Sequence, residues 1–511
     1  MFRSNNVAAR IFERQIVTPR PGTSVNCVRQ FYENLVPNYT VYDVDCPDHS
    51  FRKFTDDGQY LISFSRNHQE LIVYRPIWLS FSYKGENCDF VDIHQKTKRF
   101  DSYFTQLYSL PLVSSNEFIF KDFFLYVESH QFGIFATTTA QSQDASATEG
   151  AIHGVPSIEK ITFHLVRLKD GDILDEKVFC NDYINLVHSM GVFLYDDLLC
   201  ILSLRYQTIH IMQIRDSGNL VLVRIIGPFC REDDELYLNS HAPIAEGSHF
   251  LNGIKQRLLS FIFRITWNDE TDPILRVHHL KKFYFHFQDY INLVMWKAQF
   301  LDRHHLLIKF GSVDGGVSRT NDHHHHPSFF AVYNMESTEI IGFYQNSAEE
   351  LYCLFEQFYD HFQATSRNSL HLRFISSPCN NVHALDQLLG MKTKACNSGQ
   401  FVKKMLGTLP YTCQSQSPSP YFDLSLFRYD DKLISSMERH RPSTEHPIKF
   451  ISRRQPNVLK FKIKPGLESG AFDGRTKRIS SFFLFHPILP FALSIQQTYM
   501  QSTVVNIHFR R

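Results

Sequence analysis

Residues that could do chemistry are plentiful in this chain, which carries 26 His and 52 Asp plus Glu. Their spacing matches few ways of using them. His323-His324-His325-His326 could hold a divalent metal through neutral imidazoles, but the run precedes Pro327 and has no spaced second pair of ligands, so it reads as an exposed loop. Gly311-Ser312-Val313-Asp314-Gly315-Gly316 has the glycines of a phosphate cradle without the Lys-Ser or Lys-Thr that supplies its cation and hydroxyl, and reads as a turn. The acids of Arg231-Glu232-Asp233-Asp234-Glu235 could pair for acid–base work, although consecutive acids usually share a solvated face. No G-x-S-x-G elbow, P-loop, H-E-x-x-H or kinase triplet occurs. A protein that is not an enzyme and needs no cofactor or metal is therefore expected.

Two features suit binding. Between Arg428 and Arg478 lie thirteen Lys and Arg against six Asp and Glu, including Arg453-Arg454 and the alternating Lys460, Lys462 and Lys464. A strand would put those three lysines on one face, making either a basic stripe for phosphate or an acidic protein surface, or an ordinary solvent-facing edge. The second feature is N-terminal. Asn5 or Asn6 can cap a helix carrying Val7, Ala8, Ile11, Phe12 and Ile16 on one face, flanked by Arg10 and Arg14 and ended by Thr18-Pro19-Arg20-Pro21-Gly22. Ser24 can cap a second, with Val25, Val28, Tyr32 and Leu35 in line and Cys27 and Phe31 beside them, stopped by Pro37. Residues 1–38 are thus expected as a helix-loop-helix whose apolar stripe buries itself either on its own domain or in a partner's groove.

What positions these features is β structure. From about Tyr39 the hydrophobic period becomes two. Asp56-Asp57-Gly58 leads into Tyr60 to Ser65, and Leu71 to Tyr74 returns; Leu199 to Ser203, Ile209 to Ile214 and Leu220 to Val223 repeat the pattern. So do Leu306 to Phe310, Phe329 to Tyr333 and Ile340 to Tyr344, then Phe491 to Ile495 and Val504 to Phe509. Repeated antiparallel units with irregular loops predict an all-β fold, a β-propeller of seven or eight blades over 39–511. Helical insertions interrupt it near 248–298, 347–363 and 399–409, the first including an apolar, basic segment from Leu280 to Trp296. Thr137 to Gly150 and Ser415 to Pro420 read as exposed loops.

Composition sets the bounds. The 511 residues carry 53 Lys plus Arg against 52 acids, net +1, so any nucleic-acid or membrane partner needs a local patch. An aromatic fraction of 14% excludes a disordered chain and suits strands. Ten Cys without a C-x-x-C pair point to a reducing compartment, and no apolar run of signal or membrane-span length occurs.

Several long strings resemble a known family. They are RQFYENL (29–35), FRKFTDDGQYLISFSRNHQELIVY (51–74), GVFLYDDLLCILSLR (191–205), REDDEL (231–236), KFGSVDGG (309–316), QSQSPSPYFD (414–423) and IKFISRRQ (448–455). Over essentially the whole chain the sequence resembles the plant De-etiolated-one family of light-signalling repressors of photomorphogenesis. That resemblance implies a nuclear, non-enzymatic scaffold joining a damaged-DNA-binding-type propeller adaptor and a catalytically inert ubiquitin-conjugating-enzyme variant, in association with a cullin-4 ubiquitin ligase and without a membrane. It implies support for transcription-factor turnover, and association with core histone tails; a chromatin-associated repressor using the Arg453 to Lys464 surface is the alternative. By similarity adaptor binding falls on Val7, Ile11, Phe12, Arg14 and Ile16, with Phe31 and Leu35. One departure bears on this: Trp78, Trp267 and Trp296 are the three tryptophans and none precedes Asp, so the Trp-Asp-x-Arg box of many receptors of that ligase class is missing.

Overall fold

Alternating apolar side chains make strands that must bury one or both faces, and here they do so by stacking sheet upon sheet. The computed structural model describes residues 32–77, 98–113, 116–142, 151–152, 155–187, 190–227, 253–268, 271–312, 328–345, 348, 350–351, 353, 419–422, 426–430, 447–464, 466, 482–498 and 501–510. Among them are six antiparallel sheets. The first runs β2 (His49–Phe54), β3 (Leu61–Ser65), β4 (Glu70–Pro76), β5 (Phe104–Pro111). The second is built on β8 (Phe132–Thr138), β10 (Ser157–Arg167) and β11 (Ile173–Asp182), with short β6 (Phe118–Ile119), β7 (Leu125–Val127) and β9 (Gln141–Ser142) at its margins. The third runs β12 (Val192–Tyr195), β13 (Leu198–Ser203), β14 (Thr208–Ile214), β15 (Leu220–Ile226). The fourth runs β16 (Val294–Phe300), β17 (His305–Gly311), β18 (Phe329–Asn334), β19 (Glu339–Gln345). β20 (Phe427–Arg428), β21 (Ile448–Ser452) and β22 (Leu459–Ile463) form the fifth. In the sixth, β23 (Phe482–Phe485), β24 (Phe491–Thr498) and β25 (Gln501–Phe509) are completed by β1 (Tyr39–Val44) from the other end of the chain.

Among the described residues, shared cores link these sheets in sequence order. Phe450 and Phe461 of the fifth pack with Phe485 and Ala492 of the sixth. Leu493, Val505 and Ile507 then meet Phe51, Leu61, Tyr74 and Phe104 of the first. Ile62, Phe64 and Val73 meet Phe135 and Val166 of the second, whose other face sets Ile134, Phe163 and Leu165 against Leu199, Ile201 and Met212 of the third. Cys200 and Ile211 close on Phe300, Ile308 and Ala331 of the fourth. Meandering sheets stacked face to face in chain order, with the two chain ends sharing one sheet, are a β-propeller.

The remaining elements are helical insertions. Three helices precede the fourth sheet: α1 (Gly253–Asn268), α2 (Pro273–Phe285) and α3 (Phe287–Ile291). α1 buries Ile254, Leu258 and Leu259, at i, i+4 and i+5, and the first two join the third–fourth core. Asp272 caps α2 by accepting from the Ile274 amide at 2.9 Å, and Pro273 occupies the first turn. The expected insertion at 248–298 therefore ends early: helix stops at Ile291, and Val294–Phe300 is strand because its alternate residues, Met295, Ala298 and Phe300 once a bulge at Trp296 is allowed for, belong to the core. Of 347–363 only Glu350, Leu351 and Cys353 are described as helical, and 399–409 lies outside the described residues. Parts of two stretches expected as exposed loops are instead buried. Thr137 and Thr138 end β8 fully buried, and Ser419 and Tyr421 lie in the core around a 3-10 turn at Pro420–Phe422. Long-range partners, rather than local sequence, bury them.

Candidate functional site

The described polar clusters resemble catalytic constellations but serve the fold. On β10, His164 Nδ1 lies 2.8 Å from Glu176, and Nε2 lies 2.9 Å from the Thr137 hydroxyl, which donates to Glu117 at 2.7 Å. Lys160 completes the row on Glu117 at 2.6 Å. Carboxylate, imidazole and hydroxyl stand in triad order, yet Thr137 is fully buried with its proton committed to Glu117, so no substrate reaches it. Burial, outweighing the Glu176 carboxylate, holds the His164 pKa below the usual range.

Elsewhere Tyr126 donates to Asp57 at 2.8 Å beside Asp56 and Glu128; burial first, then the two aspartates, pushes Glu128 up to about 7. Lys297 and Lys309 face each other across β16 and β17. Burial, then the Lys309 ammonium, brings Lys297 down to about 8. Among the described residues no three His, Cys, Asp or Glu side chains converge as a metal site, and no helix is long and apolar enough to cross a membrane.

The expected binding residues fare differently. Val7, Ile11, Phe12, Arg14, Ile16 and Phe31 lie outside the described residues, as do the Arg231 to Glu235 run and the His323 to His326 run. Leu35 is described, and it packs half-buried on the sixth sheet's core, with its carbonyl accepting from the Tyr421 hydroxyl. Around it the last turn of the expected second helix is fastened down. Tyr32 and Val36 enter the fifth–sixth core, and the Tyr32 hydroxyl donates to the Ile488 carbonyl at 3.1 Å.

Glu33 ties that turn to the basic strip. Its buried carboxylate accepts from the Ser452 hydroxyl at 2.7 Å and lies 3.6 Å from Arg454 and 4.0 Å from Lys460. Lys460 and Lys462 share one face of β22, as strand alternation requires, while Phe461 and Ile463 are buried on the other. Lys462 stands opposite Lys449 of β21, both exposed, and Arg453 is exposed at the turn between the strands. Lys464 follows the strand half-buried and contributes a backbone hydrogen bond to His508. Part of the stripe is therefore structural, and Lys449, Lys462 and Arg453 form its outward part. Glu33 escaped sequence reading; an acid on a helix otherwise bound for an apolar face was the available signal.

Comparison with known proteins bears on the whole chain. A sequence profile described as De-etiolated protein 1 Det1 matches residues 121–511. The chain is 68% identical over 527 residues to the light-mediated development protein DET1 of Solanum lycopersicum, and 61% identical over 547 residues to that of Arabidopsis thaliana, each alignment covering all of both chains. Among solved structures, the β-propeller domain of Cps50 (Swd1) from Myceliophteria thermophila aligns with a TM-score of 0.33 and 10% identity over 93% of this chain and all of that one.

Proposed function

The chain belongs to the De-etiolated protein 1 family, and from that premise we propose that it acts in light-controlled development as a non-enzymatic scaffold of a nuclear cullin-4-type ubiquitin ligase assembly. It bridges a damaged-DNA-binding-type propeller adaptor and a ubiquitin-conjugating-enzyme variant, promotes turnover of transcription factors, and so represses photomorphogenesis in darkness. The observation that carries this reading is 68% identity to a light-mediated development protein across the full length of both chains. The architecture suits the role, since stacked sheets give partners a rigid frame. Glu33, Tyr32 and Leu35 fix the end of the N-terminal segment at the junction of the fifth and sixth sheets. The preceding stripe of Val7, Ile11, Phe12 and Ile16, with Arg14 beside it, then occupies a cleft of the adaptor.

Three or four apolar side chains, each worth roughly 1.5–3 kcal/mol when removed from water, can sustain such a complex after the costs of association. The double variant Ile11→Asp/Phe12→Asp is expected to lose adaptor co-purification while keeping the wild-type melting temperature, because the charges strike the docking stripe and leave the propeller core alone. Undiminished co-purification would remove the adaptor site from these residues.

A second reading, a chromatin-associated repressor, is favoured by Lys449 opposite Lys462, a like-charge pair that an anionic partner would relieve. Phosphate suits this surface better than cationic core histone tails do. If nucleic acid sits there, duplex DNA binding falls steeply with salt, and Lys449→Ala/Lys462→Ala lowers the slope of log K against log[salt] by about 2. A shallow salt response in the wild type would discard this reading.

A further inference from the structure

The helical insertion exposes more apolar surface than a solvated appendage needs. On α2, Phe285 is 81% exposed, Ile274 80% and Tyr284 62%, with Val277 and Leu275 also open. Trp267 and Ile265 at the end of α1 continue the patch. Of α2 only Phe283 is buried, against Phe263, Phe287 and Tyr290. Contiguous exposed aromatic and branched side chains beside arginine have the composition of an interface centre.

Charge narrows the occupant. α1 and α2 carry Lys255, Arg257, Arg264, Arg276, Lys281 and Lys282 and no Asp or Glu. Several are engaged at home: Lys255 donates to the Ile291 carbonyl, Arg264 lies 3.7 Å from Glu339, and Arg276 stacks over Trp267 at 5.1 Å. Lys281 and Lys282 are exposed within the apolar patch. A second copy of this helix pair would bring like charges together. A lipid surface is also a poor fit, because an interfacial helix segregates lysines to the flanks of its apolar face. Here Ile274, Val277, Lys281 and Phe285 fall at i, i+3, i+7 and i+11, which puts a lysine in the middle of the stripe.

We propose that the exposed face of α2, with the end of α1, is a docking surface for a folded protein whose apolar groove is edged by carboxylates. The apolar side chains fill the groove, and the ammonium groups of Lys281, within the stripe, and Lys282 beside it extend on their long side chains to the carboxylates. This rests on the scaffold reading and supplies the bridge with its second attachment. The N-terminal segment is fastened at the fifth and sixth sheets, whereas α1 is rooted in the core of the third and fourth, so two partners can be held on different blades. With the adaptor assigned to the N-terminal stripe, the groove belongs to the conjugating-enzyme variant.

The test uses the full-length protein as wild type, as Ile274→Asp/Phe285→Asp and as Lys281→Glu/Lys282→Glu. Each is titrated by calorimetry against the purified conjugating-enzyme variant and, separately, the purified adaptor; each is also run alone in sedimentation velocity and mixed with phosphatidylserine vesicles. All four positions of substitution are solvent-facing, so the melting temperature should hold in both variants. Affinity for the conjugating-enzyme variant should fall at least tenfold in each variant while adaptor affinity stays within twofold. Wild-type binding to both proteins that neither variant weakens would overturn this surface and leave the scaffold reading intact. A wild-type self-association or vesicle binding that both variants abolish, with the conjugating-enzyme titration unchanged, would also overturn it, giving the face to a second copy or to lipid. A wild type that binds neither protein would remove the scaffold reading and this assignment with it.

Discussion

A chain ending at Met500 is expected to yield no folded protein. The eleven residues removed include β25, which lies between β24 and β1 and pairs with both: Ile507 stands opposite Val41 on one side and Leu493 on the other. Val505 and Ile507 are fully buried in the core shared with the first sheet, and the Asn506 side chain accepts from the Asp43 amide at 3.0 Å and donates to Ser494 at 3.1 Å. Each large apolar side chain is worth roughly 1.5–3 kcal/mol, the ladder bonds of two strands go with them, and a domain has only about 5–15 kcal/mol to lose. β1 would also be left without its sheet, which exposes an edge that invites aggregation. The single substitution Ile507→Ala is the graded version, expected to cost ~2–5 kcal/mol as a cavity in a packed core. Soluble yield and a thermal melt by circular dichroism read both; a cooperative wild-type-like melt from the shortened chain would show that the sixth sheet does not hold the ring.

The elements whose strands were legible in sequence are those whose burial follows from alternation alone. Leu199 to Ser203, Ile209 to Ile214 and Leu306 to Phe310 sit within one residue of β13, β14 and β17 because their turns and period-two runs are local signals. Val294–Phe300 was hidden because a bulge at Trp296 breaks its alternation directly after three helices. Thr137 and Thr138 look like a polar loop until Glu117 and His164 arrive to satisfy a buried hydroxyl. The site was less legible still. Glu33 and Ser452 are 419 positions apart, and nothing local says that a helical acid will end beneath a basic hairpin. The apolar, basic character of α2 was readable, but its exposure depends on the sheets offering it no place to fold back, a property of the assembled propeller.

Stability should fall as the pH drops from about 6.5 towards 3, and two histidines are the main reason. His486 is buried with Nδ1 accepting the Ile488 and Leu489 amides at 3.1 and 2.9 Å, which leaves Nε2 to donate to the Gly58 carbonyl at 3.0 Å. Protonation would take away the acceptor that two amides need. Gly58, at φ +73°, belongs there because a Cβ would stand 2.4 Å from the ring. His508 is buried between the Thr40 and Ser494 hydroxyls, at 2.9 and 3.0 Å. Burial lowers both from 6.5 to about 3, against a smaller upward pull from a backbone hydrogen bond in each case. The folded state thus binds fewer protons than the unfolded state between these values, so its stability is complete above about 6.5 and declines as pH falls towards 3. At 1.36 kcal/mol per pH unit, each histidine costs about 2 kcal/mol at pH 5, on the order of 4 kcal/mol for the pair. Glu128 acts in the opposite sense, since a folded pKa near 7 means its carboxyl is most costly above neutrality and relieved on acidification, but it is half-buried and its relief is spent by pH 4.5. The decisive variant is His486→Asn, whose amide oxygen can replace the Nδ1 acceptor without titrating. It should lose some stability at pH 7 and flatten the acid decline by about half, measured as urea midpoints from pH 7.5 to 4. An unaltered slope would mean that His486 already carries its proton in the folded protein, and the neutral peg beneath Gly58 would have to be abandoned.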